Sequence, residues 1–443
     1  MSEVVQVGTP SAAGRPVAVR DTKALVAKSL KRRYAAERRF RLYGVAAIAF
    51  AGFCVAVLFV TIFSNGYTAF WQTNIRLDVT LYPQDIDPQG DRSPKALSTA
   101  NYQKLIKQAF GDLFPDVQNR REKRKLFDMI SPGATFVIRD MVLKDPGLIG
   151  KRVQISVPLS DDIDQFAKGF IKAETPESER RVKDAQIDWF QRLKDRDLVV
   201  TEFNSTFFTA GDSREPELAG ILGAIMGSVF TMIVTLAISF PLAVGASIYL
   251  EEFAPKNKWT QLIEVNINNL AAVPSIVFGL LGLAVFLNFF NLPRSAPLVG
   301  GMVLALMTLP TIIIAARAAL KAVPPSIREA ALGMGASPVQ VVFHHVLPLS
   351  MPGILTGTII GMAQALGETA PLLMIGMVAF IVDIPGSPVD PATVMPVQIY
   401  LWSDSPERAF VERTSAAIMV LLCFLIVMNA LAVVLRKKFE RRW

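Results

Sequence analysis

The stretch VPPSIREAALGMGASPVQVVFHHVLPLSMP, residues 323–352, is comparatively polar and lies between two apolar segments that are each long enough to cross a membrane. Pro324 and Pro325 cannot continue the preceding helix, because proline lacks a backbone N–H and clashes with the previous turn. Ser326 and Glu329 have the S-x-x-E spacing of a capping box. The spacing predicts a helix that begins directly after the serine.

A second short helix is predicted within the same stretch. Gly333 or Gly335 ends the first helix, and Ser337 and Pro338 then supply an N-cap and a first helical residue. Apolar residues recur at helical spacing after this pair, and Pro348 is predicted to close the helix. We therefore expect two short helices at an angle, which present an apolar stripe and small residues to something outside the bilayer.

The composition indicates a polytopic membrane protein. Hydrophobic residues make up 51% of the 443 residues, and the mean hydropathy is +0.38. Cys54 and Cys423 both lie inside apolar runs, so no disulfide framework, catalytic thiol or metal-binding thiol is expected. The net charge of +8 is concentrated at the two ends of the chain, which favours membrane flanks over nucleic-acid binding.

Six apolar segments have the length of membrane spans. They cover residues 42–63, 219–250, 270–290, 298–319, 353–382 and 416–435. Basic residues precede the first segment, in a tail of residues 1–41, and follow the last, in residues 436–443. The positive-inside rule therefore predicts that both termini, and with them residues 323–352, are cytoplasmic.

Between the first two spans, residues 65–217 resemble a soluble domain, with 23 basic and 24 acidic side chains. Alternating apolar residues predict strands over residues 75–81 and 198–208, and helical spacing predicts helices over 102–114 and 178–193. The segment is predicted to be an α+β insertion outside the cytoplasm. Its basic run, residues 120–125, is interpreted as the solvated face of a helix, in preference to an anion site.

Glu368 is the conspicuous ionisable residue within the apolar segments. A charge inside a span is costly and by default marks a transport path, whereas the structural alternative is a hydrogen bond to a neighbouring helix. Gln364 lies four residues earlier on the same helical face, and Thr369 adds a hydroxyl. Ser275 is a further small polar residue in the third segment that suits a weak anion path.

No pattern in the chain predicts catalysis. A P-loop is absent from the sequence, as are H-E-x-x-H, paired-cysteine and convincing Ser-His-Asp arrangements. We therefore expect a transport subunit without a cofactor or metal, and any ATP would be hydrolysed by a partner.

Residues 329–331, Glu-Ala-Ala, together with Gly335 six positions after the glutamate and Leu347-Pro348, resemble the cytoplasmic "EAA" loop of bacterial ABC-importer permeases. In that family the loop docks the membrane subunit onto an ATPase. The resemblance implies that docking involves the following residues: Ser326, Glu329, Ala330, Ala331, Gly335, Leu347 and Pro348. The alternative is a solvent-exposed connector in which Glu329 only caps a helix.

Two further strings narrow this resemblance. VPSIVFG at residues 273–279 and GETAPL at residues 367–372 are similar to the PstA-type permeases of phosphate-specific ABC transporters. Members of that family commonly have an arginine four residues before the glutamate, where this chain has Gln364. Arg317 is the nearest cation in a neighbouring span and is a candidate for the path, although it could equally extend to the cytoplasmic surface.

The resemblance implies an assembly in the bacterial inner membrane. This chain would form half of the path, beside a second permease subunit, two copies of an ATPase and a periplasmic phosphate-binding protein. Two alternatives remain. One is the same architecture with another oxyanion, such as sulfate or molybdate. The other is an ATP-independent secondary transporter or channel, which would predict inverted repeats and several intramembrane charges.

Overall fold

The computed structural model describes residues 22–439, so the outer parts of the two basic tails, residues 1–21 and 440–443, lie outside the described residues. The chain is mostly helical with one small sheet, which confirms the predicted class: a helical membrane protein with an α+β insertion. The first helix, α1, runs over Thr22–Gly66 and contains the predicted first span.

A three-stranded antiparallel sheet forms the centre of the insertion. Strand β1 (Trp71–Thr80) lies between β2 (Arg152–Pro158) and β3 (Val199–Phe203). Alternate residues of β1 are buried, because successive side chains of a strand point to opposite faces. Trp71 is paired with Phe203, so the chain enters and leaves the insertion through neighbouring strands.

Helices cover the buried face of this sheet. The longer ones are α2 (Tyr102–Asp112), α3 (Arg120–Phe127), α4 (Ala134–Lys144), α5 (Asp161–Ala167) and α6 (Asp184–Asp195). Their apolar faces and β1 form one continuous core that includes Leu77, Phe110 and Ile138. Because this core is separate from those of the membrane helices, the insertion has the character of a domain.

Short helices over Pro83–Ile86, Pro94–Thr99 and Ser205–Thr209 complete the insertion and its exit, and the helices after residue 221 form the membrane part. In order they are α7 (Leu222–Ile248), α8 (Lys258–Ala271), α9 (Ser275–Gly282), α10 (Pro297–Lys321), α11 (Pro325–Gly333), α12 (Pro338–Val341), α13 (Leu347–Gly367), α14 (Ala370–Met374), α15 (Met395–Ser403) and α16 (Ala409–Phe439). Wider π-helical turns extend three of them, over Tyr249–Phe253, Leu283–Phe289 and Val342–Val346.

Within residues 22–439, five helices are long and apolar enough to cross a membrane. A sixth span results if Lys258–Ala271 and Ser275–Phe289, which meet at 101°, form one broken span. The segment predicted as the third span, residues 270–290, therefore contains a sharp bend near its start. The chain turns at Pro274, whose extended backbone (φ −56°, ψ 137°) places it outside both helices.

Small residues bring α10 and α13 together. A β-carbon on Gly353 would lie 2.6 Å from Cβ of Ala319, and one on Gly357 would lie 2.1 Å from Cβ of Ala315. Such close approach is typical of helix pairs in membranes, where small residues let the backbones pack. The two helices are antiparallel, since later residues of α13 meet earlier residues of α10, as Gly361 meets Ile312.

Candidate functional site

The polar stretch between α10 and α13 folds as two short helices at its predicted position. Helix α11 begins at Pro325 with Pro324 as its N-cap, and no side chain caps it, so the predicted capping box of Ser326 and Glu329 is wrong. Pro325 starts the helix itself, because its fixed φ suits the first helical position. The serine therefore lies inside the first turn.

The end of the first helix and the start of the second agree with the predicted signals. Helix α11 ends at Gly333, and Gly335 adopts a φ of +88°, which favours glycine. The Ser337 hydroxyl accepts a hydrogen bond from the N–H of Gln340, whose side chain in turn accepts from the serine N–H. This reciprocal pair is a capping box, and it lies at the start of the second helix. The sequence predicts a capping box at the start of the first helix instead.

Pro348 does not close the second helix. The chain passes from α12 through the π-helical turns at Val342–Val346 directly into α13, with Pro348 in its first turn. A proline is tolerated there because a wide turn precedes it and its missing N–H is not needed. The second short helix and the fifth span therefore form one continuous helical element.

An apolar, accessible surface marks this loop. Leu332, Met334, Val339 and Phe343 are large hydrophobic side chains with 49% to 79% of their surface exposed. Of the residues predicted to dock a partner, Ser326, Glu329, Ala330 and Gly335 are exposed, Leu347 and Pro348 are partly buried, and Ala331 is buried. Ala331 packs in a small core with Leu320 and Val346, which fixes α11 against the membrane helices.

Sequence reasoning missed the residue that holds the loop in place. Arg328 Nη2 lies 2.7 Å from Oε1 of Glu252, at the end of the α7 extension, and its Nε also donates to Oε2. The same guanidinium donates to the carbonyls of Leu320 and Val323 at the end of α10. The sequence shows the adjacent acidic residues 251 and 252 and the basic Arg328, but nothing in it indicates that residues 76 positions apart form a pair.

A second candidate site lies where the fifth span breaks. Helix α13 ends at Gly367, Glu368 has extended backbone (φ −77°, ψ 128°), and the short helix α14 follows. Residues 375–394 contain no helix, so the prediction that this span runs to residue 382 is wrong. Gly367 and Pro371 explain the break, because neither favours a helix interior.

The broken ends of α9 and α13–α14 meet. A β-carbon on Gly279 would lie 2.7 Å from Cα of Pro371 and 2.9 Å from Cβ of Met374. The strings VPSIVFG and GETAPL, 94 residues apart in their starting positions 273 and 367, are therefore in contact. Irregular backbone at membrane depth is tolerated only where protein or a water-filled cavity surrounds it.

The polar side chains predicted for the path lie around this meeting point. Gln364 is exposed, whereas Ser275, Glu368 and Thr369 are half-buried. Among the described residues, none forms a side-chain hydrogen bond or ion pair with Glu368. In the isolated chain Glu368 is therefore not a hydrogen-bonded link between helices.

Arg317 does not join this group. Its Nη2 lies 2.6 Å from Oε1 of Glu264 on α8, and its Nε lies 3.5 Å from Oε2 of Glu251. In the α10–α13 register, position 317 is level with residue 355 of α13, which is about 13 Å along the helix from Gln364 at a rise of 1.5 Å per residue. The two carboxylates hold this arginine near the end of α10 that leads into the loop.

Buried charges connect the insertion to the last membrane helix, and no sequence pattern indicated them. Lys168 Nζ lies 2.9 Å from Oε1 of Glu412 on α16 and 2.7 Å from Oδ2 of Asp164. Gln165 donates a second hydrogen bond to Glu412. Arg413, also buried, lies over the ring of Phe207 at 5.7 Å. Paired charges of this kind form a specific contact, because separating them would leave each one buried and alone.

Glu217 is a buried carboxyl at the point where the chain leaves the insertion. Only 2% of its surface is exposed, and neither side-chain oxygen has an aligned hydrogen-bond partner among the described residues. Burial raises the pKa of Glu217 to about 7, although the Ser131 hydroxyl acts in the opposite direction. Residues 22–439 contain no group of three or more His, Cys, Asp or Glu side chains that could hold a metal ion.

Two family models match the chain. Residues 237–443 match the binding-protein-dependent transport system inner membrane component, and residues 27–177 match a domain of unknown function, DUF3333. The first match covers the later part of the second span, the loop and the spans that follow, and the second covers most of the insertion.

Several individual relatives are named as permeases of phosphate transport systems, and others, such as YqgH of Bacillus subtilis (30% identical over 228 residues, covering 50% of this chain and 72% of that protein), only as probable ABC transporter permeases. The chain is 30% identical over 230 residues to the phosphate transport system permease protein PstA 2 of Mycobacterium bovis, covering 51% of this chain and 74% of that protein. It is 32% identical over 201 residues to the permease protein PstC of Haemophilus influenzae, covering 40% and 63%. A solved structure of the MetNI methionine ABC transporter matches 50% of this chain and 98% of that chain, with a TM-score of 0.41 and 16% identity.

Proposed function

We propose that this chain, which belongs to the family of inner-membrane permease components of binding-protein-dependent transport systems, imports inorganic phosphate. It would form half of the membrane path, and a second permease subunit would supply the other half. Two copies of a cytoplasmic ATPase and a periplasmic phosphate-binding protein would complete the importer. The chain itself would need no cofactor, since ATP would bind to the partner.

The loop supplies the mechanical part of this proposal. Its exposed apolar residues and Glu329 offer a surface for the ATPase, while Arg328 and the buried Ala331 hold α11 to the membrane helices. Because α12 continues into α13, movement of the docked loop would tilt α13 as a rigid body. In this proposal the loop and both termini lie on the cytoplasmic side, as the positive-inside rule predicts.

The contact between the two broken helices is the observation that carries the substrate proposal. Ser275, Glu368 and Thr369 lie within about one helical turn of this contact in the sequence and are half-buried, which supports their assignment to the path. A path for a multivalent anion needs small polar groups and few fixed cations, since tight binding would prevent release. Gln364 can donate hydrogen bonds to phosphate without adding a positive charge, and Arg317 is neutralised by Glu264 and Glu251.

Phosphate relatives of both permease types support the substrate, and they leave open whether this chain corresponds to PstA or to PstC. The alternative oxyanion, sulfate, is favoured only by Gln364 in place of the arginine common in the phosphate family. Both substrates therefore belong in one experiment.

Uptake of radiolabelled phosphate and sulfate, measured in a strain that lacks its own copy of this chain, tests the proposal. The restored wild type should take up phosphate and not sulfate. Glu368→Gln should lower phosphate uptake at least about tenfold, because the carboxylate would no longer repel the anion and aid its release. Glu179→Gln, an exposed carboxyl of the insertion, is the matched control and should behave as wild type.

Immunoblots of the membrane fraction keep loss of protein apart from loss of transport. Sulfate uptake that depends on the chain would overturn the substrate. Unchanged phosphate uptake by Glu368→Gln, at equal protein levels, would exclude Glu368 from the path.

A further inference from the structure

A large cavity in the insertion is independent of the membrane path. Its volume is about 1030 Å³, at the upper end of the range for small-molecule sites. Helices α2 and α3 line one part, the start of α5 lines another, and residues 215 and 217 close it near the exit from the insertion. Nothing in the transport mechanism uses this cavity.

One wall of the cavity is cationic. Arg120, Lys123 and Arg124 lie at helical spacings of three and four on α3, so they share one face, and Lys125 also lines the cavity. No described residue forms an ion pair with any of these four side chains. The basic run, interpreted from sequence as a solvated face, is exposed along residues 120–125 and also forms one wall of the open cavity. Unpaired guanidinium groups at this spacing suit a phosphate, which offers several acceptor oxygens.

Another wall is anionic and more buried. Asp161 and Asp162 at the start of α5 line it, together with Glu217, whose carboxylate oxygens have no aligned partner among the described residues. Burial raises the pKa of Asp162 to about 6, and the cations that oppose this shift are Arg181 and Arg408. Arg181 also lines the cavity, and its Nη1 lies 4.0 Å from Oδ1 of Asp162, so this aspartate has an ion-pair partner. None of the four cations of the α3 wall forms an ion pair with this second wall among the described residues, and Glu217 has no ion-pair partner there.

We propose that this cavity binds a small zwitterion that carries a phosphate group and an ammonium group. The phosphate contacts Arg120 and Arg124 on α3, and the ammonium contacts Asp162 and Glu217. A ligand of this kind satisfies the unpaired cations of α3 and the unpartnered carboxyl of Glu217 at once, whereas a simple anion or a simple cation satisfies only one.

Two sources can supply this chemistry, namely a soluble aminoalkyl phosphate and the headgroup of a membrane lipid. Glu217 precedes the first residue of α7, Leu222, by five positions, so the anionic wall lies close to the start of a membrane span. The membrane is thus within reach of the site, and the experiment must separate the two sources.

Calorimetric titration of the full-length protein in phosphatidylglycerol nanodiscs tests the proposal, with O-phosphoethanolamine, inorganic phosphate and ethanolamine as separate probes. The wild type should bind O-phosphoethanolamine at least about tenfold more tightly than either other probe. Arg120→Gln/Arg124→Gln should weaken that binding by a further factor of about ten or more. Arg121→Gln, on the same helix but outside the cavity, is the matched control and should bind as wild type.

Asp162→Asn separates a zwitterion site from an anion site. It should weaken binding of O-phosphoethanolamine and leave inorganic phosphate unchanged. Nanodiscs that also contain phosphatidylethanolamine identify the source: competition with the soluble probe in the wild type supports a lipid headgroup, and unchanged affinity supports a soluble ligand. Absence of saturable O-phosphoethanolamine binding overturns the proposal, as does equal binding by the wild type and Arg120→Gln/Arg124→Gln. An Asp162→Asn variant with unchanged preference for the zwitterion overturns it as well.

Discussion

Glu217 and Glu368 have no ion-pair partner among the side chains that the structure describes. Glu368 and Glu217 are both carboxyls without a bonded partner among the described residues, but their surroundings differ. Glu368 is half-buried at a helix break, and Glu217 is almost fully buried beside a cavity. A buried carboxyl without a partner favours its neutral form, because removal of water penalises the charge.

Glu217 should therefore make stability depend on pH. Its folded-state pKa of about 7 lies above the model-peptide value of 4.5, so the folded chain binds the proton more tightly than the unfolded chain. The resulting stability is present below pH 4.5 and is lost as the pH rises through 7. Glu217→Gln removes this loss and should raise the apparent Tm at pH 8 by about 3 °C or more, with little change at pH 4.5.

Thermal unfolding followed by circular dichroism in detergent checks this pH dependence. Glu179→Gln changes an exposed carboxyl of the insertion and should leave the Tm unchanged at both pH values. A difference between wild type and Glu217→Gln that is equal at both values would show that Glu217 does not titrate as stated.

At the scale of secondary-structure elements, two of the apolar segments are each interrupted by a break in the helix. Pro274 and the pair Glu368–Thr369 interrupt two apolar segments, and the chain packs the interrupted ends against each other through Gly279. In contrast, the loop helices are joined to α13 without interruption. The membrane part thus contains one region of irregular backbone, around Gly279 and Pro371, and one continuous helical element that joins the loop to α13.

Close packing at Gly279 should not tolerate a larger residue. A β-carbon there would meet the backbone of Pro371 at 2.7 Å, so Gly279→Ala forces α9 and α14 apart, at a cost of about 1–3 kcal/mol. We expect lower phosphate uptake and a lower Tm. Gly245→Ala on α7 has no neighbouring atom within 4 Å and is the matched control. Wild-type uptake and Tm in Gly279→Ala would show that the contact is not required.

Helix α11 should fail to dock when its exposed charge is reversed. Glu329 is exposed and makes no ion pair with a described residue, so Glu329→Lys should leave the protein folded in the membrane. The amount of ATPase that co-purifies with the tagged chain should fall at least about tenfold, as expected for a reversed charge in an interface. Glu174→Lys, an exposed reversal in the insertion, should retain the ATPase. Normal ATPase recovery with Glu329→Lys would argue against docking through this residue.

At the scale of the whole molecule, the insertion is an independent core attached by charged contacts. Its strands β1 and β3 are neighbours where the chain enters and leaves, and Asn204 bonds back to the backbone of Ala69 and Phe70. Glu412 is the point at which α16 depends on the insertion, through Lys168 and Gln165. The insertion can therefore be deleted between Trp71 and Phe203, provided that the carboxylate of Glu412 is also neutralised.

Replacement of residues 72–202 by Asn-Gly should close a hairpin between Trp71 and Phe203, because that dipeptide favours the turn that joins antiparallel strands. Alone, the deletion leaves Glu412 without its cation and should lower the Tm, since an unpaired buried charge costs about 3–5 kcal/mol. Adding Glu412→Gln should recover much of the Tm, and phosphate uptake should persist. Normal protein levels with no uptake would place the insertion in the path.

The sequence alone determined the features that depend on neighbouring residues. Apolar run length marked the membrane segments, alternation marked β1, and Gly335, Ser337 and Pro338 marked the bend in the loop, because each acts over a few residues. Tertiary structure alone decided the contact of Gly279 with Pro371, the pair of Arg328 with Glu252, and the pair of Lys168 with Glu412. These partners lie 76 to 244 positions apart in the chain, as the Arg328 and Lys168 pairs show, and only packing brings them together. The capping box expected at Ser326 failed for a local reason, since Pro325 beside it takes the first helical position and the helix begins one residue before the serine.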